Sequence, residues 1–491
     1  MAESAESGAP QRFESLRQQV RSAVLWRSGT QFLGQLVTWG STFLVIRILS
    51  PEDYGLFAMT QVVLALLNML NGYGLASAII QRPHVDTRLK RQLFGLLLIL
   101  NLGLGALQVA MAPLAAAYFR QPIVADLLRV QALLYVATPF IAFPYALLAR
   151  DMDFKGQAQA NLASATLGAL VSLAGALAGW GVWTLIAAPM ALFWSRAIIM
   201  TWLARSLMWP SFDFRGAGDV VRFGGLMATS QLFWFLQSQA DVFVAGRHLD
   251  PHTLGLYTTA LFLTQVFVAK FLPTLNDVAF SAYARIQDDA AAMGAAFAKS
   301  SRIVMVAAMP FYAGLAVTAD PLVHVVLGEK WLQAAPLVRI LAIAMPFMTL
   351  QTLFAPATNA RGLPGLAARL GAAGGVLLPL AFVIGVKFGV EGLVWSWVAV
   401  WPLYLIVTAG RSLREVGLSA SALASAIAPP LLAGLAMAAI VVVIDTALPP
   451  LDPAPRLAIL VAAGASAYGG WLALFARDTL AELIAFVRRR G

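Results

Sequence analysis

The chain has 491 residues, of which 60% are apolar and 12% charged, against about 25% charged in soluble domains. A soluble fold has too little polar surface to cover so much apolar side chain, so the chain is read as an all-α polytopic membrane protein. With no cysteine, disulfides, thiolate nucleophiles and Cys-based metal sites are excluded, and the net charge of +10 is assigned to basic cytoplasmic loops rather than to nucleic-acid binding.

Residues 1–21 are polar, with Phe13, Leu16 and Val20 at helical spacing among Arg12, Arg17 and Arg21. They predict an amphipathic segment lying on the cytoplasmic face. The first apolar run is a full-length span, so no cleavable signal is expected. Fourteen apolar segments of about 20 residues follow, the first near 24–48 and the last near 456–476. They group into an N-lobe of six spans over 22–205, a C-lobe of six over 206–410, two extra spans over 411–476 and a basic cytoplasmic tail over 477–491.

The first span carries Arg27, Gln31, Gln35, Thr38 and Thr42 at spacings of 4, 4, 3 and 4, which stacks them on one face. Such a stripe either walls a hydrated cavity or packs helices together while Arg27 snorkels to the interface. The turn that follows, Arg47 to Phe57, aligns without a gap on Arg247 to Tyr257, with five of eleven positions identical and the last pair aromatic in both. Upstream, Gln31 matches Gln231, Leu36 matches Leu236 and Phe43 matches Phe243. Six spans separate the copies, so the two halves run parallel about an axis along the membrane normal, a plan that suits alternating access.

Further along, Arg196 lies deep in the sixth span between Trp194 and Trp202 and is a candidate for headgroup binding. The seventh span places Ser230, Trp234, Gln237 and Asp241 on one face. Asp241 is an ion-coupling carboxylate, the partner of a buried cation or a residue at the outer interface. In the eighth span Lys270 sits midway, with Thr274 and Asp277 on the same face. Lys270 is the leading candidate for a functional cation, the alternative being an ion pair with Asp241 or Asp277. His248 and His252 flank Pro251 in a turn and carry no zinc motif. Trp180, Trp183, Trp395, Trp397 and Trp401 fall near span ends and read as interface anchors. The run from Gly371 to Gly375 reads as a close-packing surface, since no Gly-Lys-Ser/Thr follows. No cofactor and no metal are expected.

Orientation follows from the basic residues. With the N-terminus cytoplasmic, 24 of the 34 Lys and Arg fall inside, 8 outside and 2, Arg196 and Lys270, within spans. That asymmetry puts both termini in the cytoplasm.

The segment Ile46 to Leu56, read IRILSPEDYGL, resembles the signature after the first helix of polysaccharide-export (Wzx-type) flippases. These belong to the multidrug/oligosaccharidyl-lipid/polysaccharide (MOP) superfamily. Ala149 to Lys155 is similar to the link between the fourth and fifth helices of the colanic-acid and xanthan exporter branch, and Pro321-Leu322 with Leu327 to Trp331 resembles the second-lobe pattern. The resemblance spans roughly residues 15–360. It implies a bacterial inner-membrane flippase that moves undecaprenyl-pyrophosphate-linked oligosaccharide units from the cytoplasmic to the periplasmic leaflet. Its partners would then be that lipid-linked saccharide, membrane lipids and the polymerase or export machinery, with no nucleic acid. Arg27, Gln31, Gln35, Arg196 and Lys270 become the candidate headgroup and cavity residues, with Asp241 and Asp277 for ion coupling.

Two rival functions stay open at this stage. A MATE-type small-molecule antiporter would share the two lobes but commonly has twelve spans, whereas residues 421–476 supply two more. A membrane glycosyltransferase or polymerase could use Glu52 and Asp53 in the first outer loop. Against it, the second turn reads His252-Thr253 at those positions.

Overall fold

A computed structural model describes residues 34–69, 86–213, 233 and 235–479. The amphipathic segment 1–21, most of the basic tail, and Arg27, Gln31, Ser230, Gln231 and Trp234 lie outside the described residues.

Every regular element among the described residues is helical, as a hydrocarbon solvent requires, because a helix satisfies its backbone groups within one segment. The chain divides into two compact units, Met1–Leu232 and Phe233–Gly491. In the first, α1 (34–48), α2 (Pro51–Asn68) and α3 (Thr87–Phe119) lead into three short helices, α4 (Ile123–Gln131), α5 (Leu133–Ala137) and α6 (Pro139–Arg150). The unit closes with α7 (Phe154–Leu177) and α8 (Val182–Leu203).

In the second unit α9 (235–248), α10 (Pro251–Ala284) and α11 (Ala290–Val317) are followed by the short α12 (Ala319–Val326). A 3₁₀ turn then leads to α13 (Ala335–Thr352), α14 (Phe354–Ala360), α15 (Pro364–Gly385), α16 (Gly389–Val416), α17 (Ala420–Ala447) and α18 (Pro453–Phe475).

Ten stretches among the described residues are long and apolar enough to cross a membrane. One of them, Pro364–Val416, is 53 residues long and contains both α15 and α16. Helices α1, α2 and α9 fall where the first, second and seventh spans are expected, so the set is consistent with fourteen. Large apolar side chains such as Leu114, Leu170, Ile198, Ile406 and Val443 are exposed, the outward face that lipid rather than water would cover.

The aligned turns have matching caps. Ser50 caps α2: its hydroxyl accepts the Asp53 N–H at 3.3 Å, while Asp53 Oδ2 accepts the Ser50 N–H at 3.0 Å and its hydroxyl at 2.7 Å. This is a reciprocal capping box with Pro51 in the first turn. At the second turn the roles are exchanged. Asp250 is the cap, accepting the Thr253 N–H at 3.0 Å and the Thr253 hydroxyl at 2.7 Å, with Pro251 following. Each copy therefore keeps an acid and a hydroxyl, one at the cap and one three residues on. Burial alone would raise the Asp250 pKa, but the Thr253 hydroxyl and N–H outweigh it and hold the carboxyl below the ordinary range.

Within the first unit, Leu93, Phe94 and Leu97 of α3 pack against Ala142, Phe143 and Leu147 of α6. The segment leaving α8 is strapped to the start of α3. The Ser211 N–H donates to Arg91 O at 2.9 Å, and Arg91 Nε donates to Trp209 O at 2.9 Å. Gln92 Nε2 donates to Asp213 O at 2.7 Å, and Arg88 pairs with Asp213 at 3.0 Å. Gly95 makes this approach possible, since a Cβ there would stand 2.3 Å from Ser211 O. In the second unit α15 and α16 meet with Gly385 against Gly392, where an added Cβ on either would meet the other's backbone at 2.5 Å or less. Small residues at such crossings let helix backbones come close in lipid.

Candidate functional site

Two polar clusters stand out inside units otherwise built of apolar side chains. The first is a pocket of about 320 Å³ in the first unit. Gln35 and Thr38 of α1 line it together with Gln157 and Asn161 of α7 and Arg196 of α8, and Tyr145 closes it near the α6–α7 turn. Thr38 and Thr42 spend their hydroxyls on the carbonyls of Gly34 and Thr38 in their own helix, at 2.7 and 2.8 Å. Of the described stripe on α1, Gln35 and Thr38 therefore form the pocket wall.

Two hydrogen bonds fix the rest of this pocket. Arg196 Nε donates to Ser164 Oγ at 3.3 Å, and Gln157 Nε2 donates to Tyr145 O at 3.0 Å. Gln157, Asn161 and Ser164 recur at spacings of 4 and 3 on α7, so one helix face puts Ser164 against Arg196 and Gln157 and Asn161 into the same pocket. A guanidinium is a planar fork of five donors that matches phosphate oxygens. The amide side chains beside it suit hydroxyl-rich ligands.

The second cluster is a hydrogen-bonded chain in the second unit. Trp397 Nε1 of α16 donates to the Tyr257 hydroxyl of α10 at 2.9 Å, and that hydroxyl donates to Asp241 Oδ2 of α9 at 2.7 Å. Asp241 is 1% exposed, Tyr257 0% and Trp397 3%. Asp241 Oδ1 is buried with no hydrogen-bond partner among the described residues. One turn earlier, Gln237 Nε2 donates to Gly371 O at 2.9 Å and its Oε1 accepts from the Tyr404 hydroxyl at 3.3 Å. These bonds tie α9 to α10, α15 and α16.

The structure brings Gln35 and Arg196 together, and Gln237 and Asp241 into one packed layer. It does not bring Lys270 to Asp241. Lys270 and Asp277 are exposed on α10, and among the described residues Lys270 forms no ion pair with Asp241 or Asp277; the partner of Asp241 is Tyr257. Thirteen residues separate Tyr257 from Lys270, about 20 Å along a helix. The pairing alternative for Lys270 and Asp241 is thereby corrected.

The aromatic reading needs a correction as well. Trp180, Trp183 and Trp395 are exposed, as interface anchors would be, but Trp397 and Trp401 are buried. They sit in a row of ring contacts from Phe382 through Trp397 and Trp401 to Tyr404, with Trp397 and Trp401 stacked and the end pairs tilted. Residues not anticipated from sequence are Gln157, Asn161, Tyr257 and Trp397. Also unanticipated is a second cavity, of about 370 Å³ between α15 and α16, that carries Arg369, Arg411 and Glu415.

Residues 44–336 match the family described as "Polysaccharide biosynthesis protein", well over half of the chain. The chain belongs to that family. It is 29% identical over 339 residues to the succinoglycan biosynthesis transport protein ExoT of Rhizobium meliloti (strain 1021), covering 67% of each chain. It is 25% identical over 401 residues to the teichuronic acid biosynthesis protein TuaB of Bacillus subtilis (strain 168), covering 80% of this chain and 83% of that one. Among solved structures, the fold is similar to that of the lipid II flippase MurJ in an inward closed conformation. There the TM-score is 0.72 at 13% identity, over 93% of this chain and all of the other. Membership of this polysaccharide family agrees with the resemblance carried by residues 46–56.

Proposed function

We propose that this multi-pass membrane protein is a flippase that carries lipid-linked oligosaccharide from the cytoplasmic to the periplasmic leaflet by alternating access of its two units. The observation that carries the reading is the pocket of Gln35, Gln157, Asn161 and Arg196. It sets one cation beside amide groups inside an apolar unit, the chemistry a pyrophosphate bearing a sugar needs. A relative named for succinoglycan transport and a fold like that of a lipid II flippase support the same class.

In this reading the carrier is undecaprenyl pyrophosphate, and Arg196 meets its anionic headgroup. Arg27 and Gln31, outside the described residues, stay headgroup candidates on the strength of their sequence spacing alone. Lys270, exposed on α10, adds a second cation to the path. Asp241 carries the coupling ion or proton, and Asp277 is the weaker alternative because it is exposed. The protein resides in the bacterial inner membrane with both termini in the cytoplasm, as its basic residues argue.

A transporter is favoured over a glycosyltransferase or polymerase because Asp53 is occupied by its cap, accepting from Ser50 at 3.0 and 2.7 Å. That carboxylate oxygen is committed to the helix cap rather than presented to a substrate. The test is polysaccharide export in a deletion strain carrying Arg196→Gln or Arg196→Lys at normal protein levels. We expect Gln to abolish export, Lys to restore part of it, and lipid-linked saccharide to build up in the cytoplasmic leaflet. Build-up in the outer leaflet would overturn the reading in favour of a polymerase or ligase.

A further inference from the structure

The segment that leaves α8 is ordered, yet it shows apolar side chains to the outside. Met208 turns inward and packs on the core of Leu93, Phe94 and Phe143. Its neighbours Leu207 and Trp209 are 79% and 83% exposed, and Phe212 is exposed as well. The strap to α3 holds them there, since Arg88, Arg91 and Gln92 all bond to residues 209–213. Large apolar residues held outward in this way mark a contact surface. Trp beside basic residues at one end of a helical unit is the pattern of a membrane interface. Arg88, Lys90, Arg91 and Arg205 stand at this same end, with Arg88 paired to Asp213 and Asp86 capping α3, which leaves a net positive charge.

Below this segment lies a cavity of about 830 Å³, walled by Phe140 of α6, by Trp194, Ile198 and Trp202 of α8, and by Leu207. Arg205 stands at its head. The Arg205 side chain is exposed and makes no hydrogen bond or ion pair among the described residues. From Arg205 to Trp194 the apolar wall runs eleven residues along the chain, about 16 Å. That is about half of the roughly 30 Å hydrocarbon thickness, the depth of one leaflet. The volume is within the roughly 300–1,000 Å³ of small-molecule sites, room for a headgroup and part of one acyl chain rather than for a whole lipid.

We propose that this cleft is a binding site for one anionic phospholipid of the surrounding bilayer. Its phosphate sits on the Arg205 guanidinium, and an acyl chain lies along Ile198 and Trp202. Trp209 and Phe212 enter the headgroup layer beside it. Charge complementarity decides for an anionic over a zwitterionic lipid, because Arg205 heads the cleft and no acid lines it. The depth decides for a bilayer phospholipid, because the wall ends after one acyl-chain length.

The test uses the purified full-length chain in vesicles of equal parts phosphatidylglycerol and phosphatidylethanolamine, with native mass spectrometry reading the lipid that stays bound. We expect one retained phosphatidylglycerol per wild-type chain. Its affinity should fall about fivefold in Arg205→Gln, the effect of one basic residue at a membrane surface, and recover in Arg205→Lys. Ile198→Trp fills the cleft at a lipid-facing position and should block retention with the chain folded. Equal retention of both lipids, or unchanged retention in Arg205→Gln, would overturn the proposal. So would an isoprenoid phosphate in place of the phospholipid on protein taken directly from cells. None of these outcomes depends on whether the chain flips saccharides.

Discussion

Removing one oxygen from the second unit should be costly. Tyr257→Phe keeps the ring but deletes the hydroxyl that donates to Asp241 at 2.7 Å and accepts from Trp397 at 2.9 Å. All three side chains are at most 3% exposed, so neither stranded group gains water. A buried polar group left unpaired costs about 1–3 kcal/mol, more when charged, so two of them predict a loss of roughly 2–6 kcal/mol. The first unit suggests the rescue. At the 200-residue offset Asp241 and Tyr257 correspond to Ser41 and Phe57, so Asp241→Ser with Tyr257→Phe removes the stranded carboxylate and installs the residue combination that the first unit carries at those positions. The double variant should recover about 1–2 kcal/mol relative to the sum of the singles, within the coupling seen for residues in contact. Unfolding in detergent, followed by tryptophan fluorescence, measures each arm of the cycle. A Tyr257→Phe loss below about 0.5 kcal/mol, or singles that simply add, would refute the reasoning. Asp241→Asn separates stability from transport, because the amide oxygen still accepts from Tyr257 while the group can no longer ionise. We expect near-normal unfolding with transport lost; retained transport would remove Asp241 from ion coupling.

Three further outcomes are expected. Gly95→Val should push the 206–213 segment off α3, because its Cβ would meet Ser211 O at 2.3 Å; a loss of about 1–3 kcal/mol and faster proteolysis within that segment would show it. Asp250→Ala should lose a helix cap worth about 0.5–2 kcal/mol. Because the folded Asp250 carboxyl lies below its ordinary range, its contribution is full above the unfolded pKa and fades as pH falls through the folded one. The wild type and the variant should therefore converge in acid, which unfolding at pH 7 and pH 3 would check. Asn161→Leu should weaken substrate recognition while the first unit stays folded, because Asn161 lines the pocket and is only partly buried; this would be read as reduced export at normal protein levels with an unchanged unfolding curve.

Much of this architecture was legible because it rests on local rules. The matched turns showed at a fixed offset, since Ser50 and Asp250 both cap helices that begin with proline. Arg196 and Asp241 drew attention because charge inside a span is expensive. The partners were harder to read. Tyr257 aligned with Phe57 as one more aromatic, and the hydroxyl that distinguishes them is the donor to Asp241. Trp397 looked like an interface anchor because its sequence position lies near a span end. Its burial depends on Gly385 and Gly392 bringing α15 and α16 together, a contact that no helical period announces. Gln157, Asn161 and Ser164 did carry a signal, the same spacing of 4 and 3 that marked α1. The many alanines and glycines around them masked it.

The central claim is movement of a lipid-linked saccharide across the bilayer, and purified protein in sealed liposomes tests it most directly. Liposomes are loaded with lipid-linked oligosaccharide, and an external glycosidase reads how much is exposed over time. The account predicts that wild-type protein makes the inner-leaflet pool accessible with the saccharide otherwise unchanged, and that Arg196→Gln leaves that pool protected. Protection in both, or a longer or cleaved saccharide in place of a moved one, would contradict it.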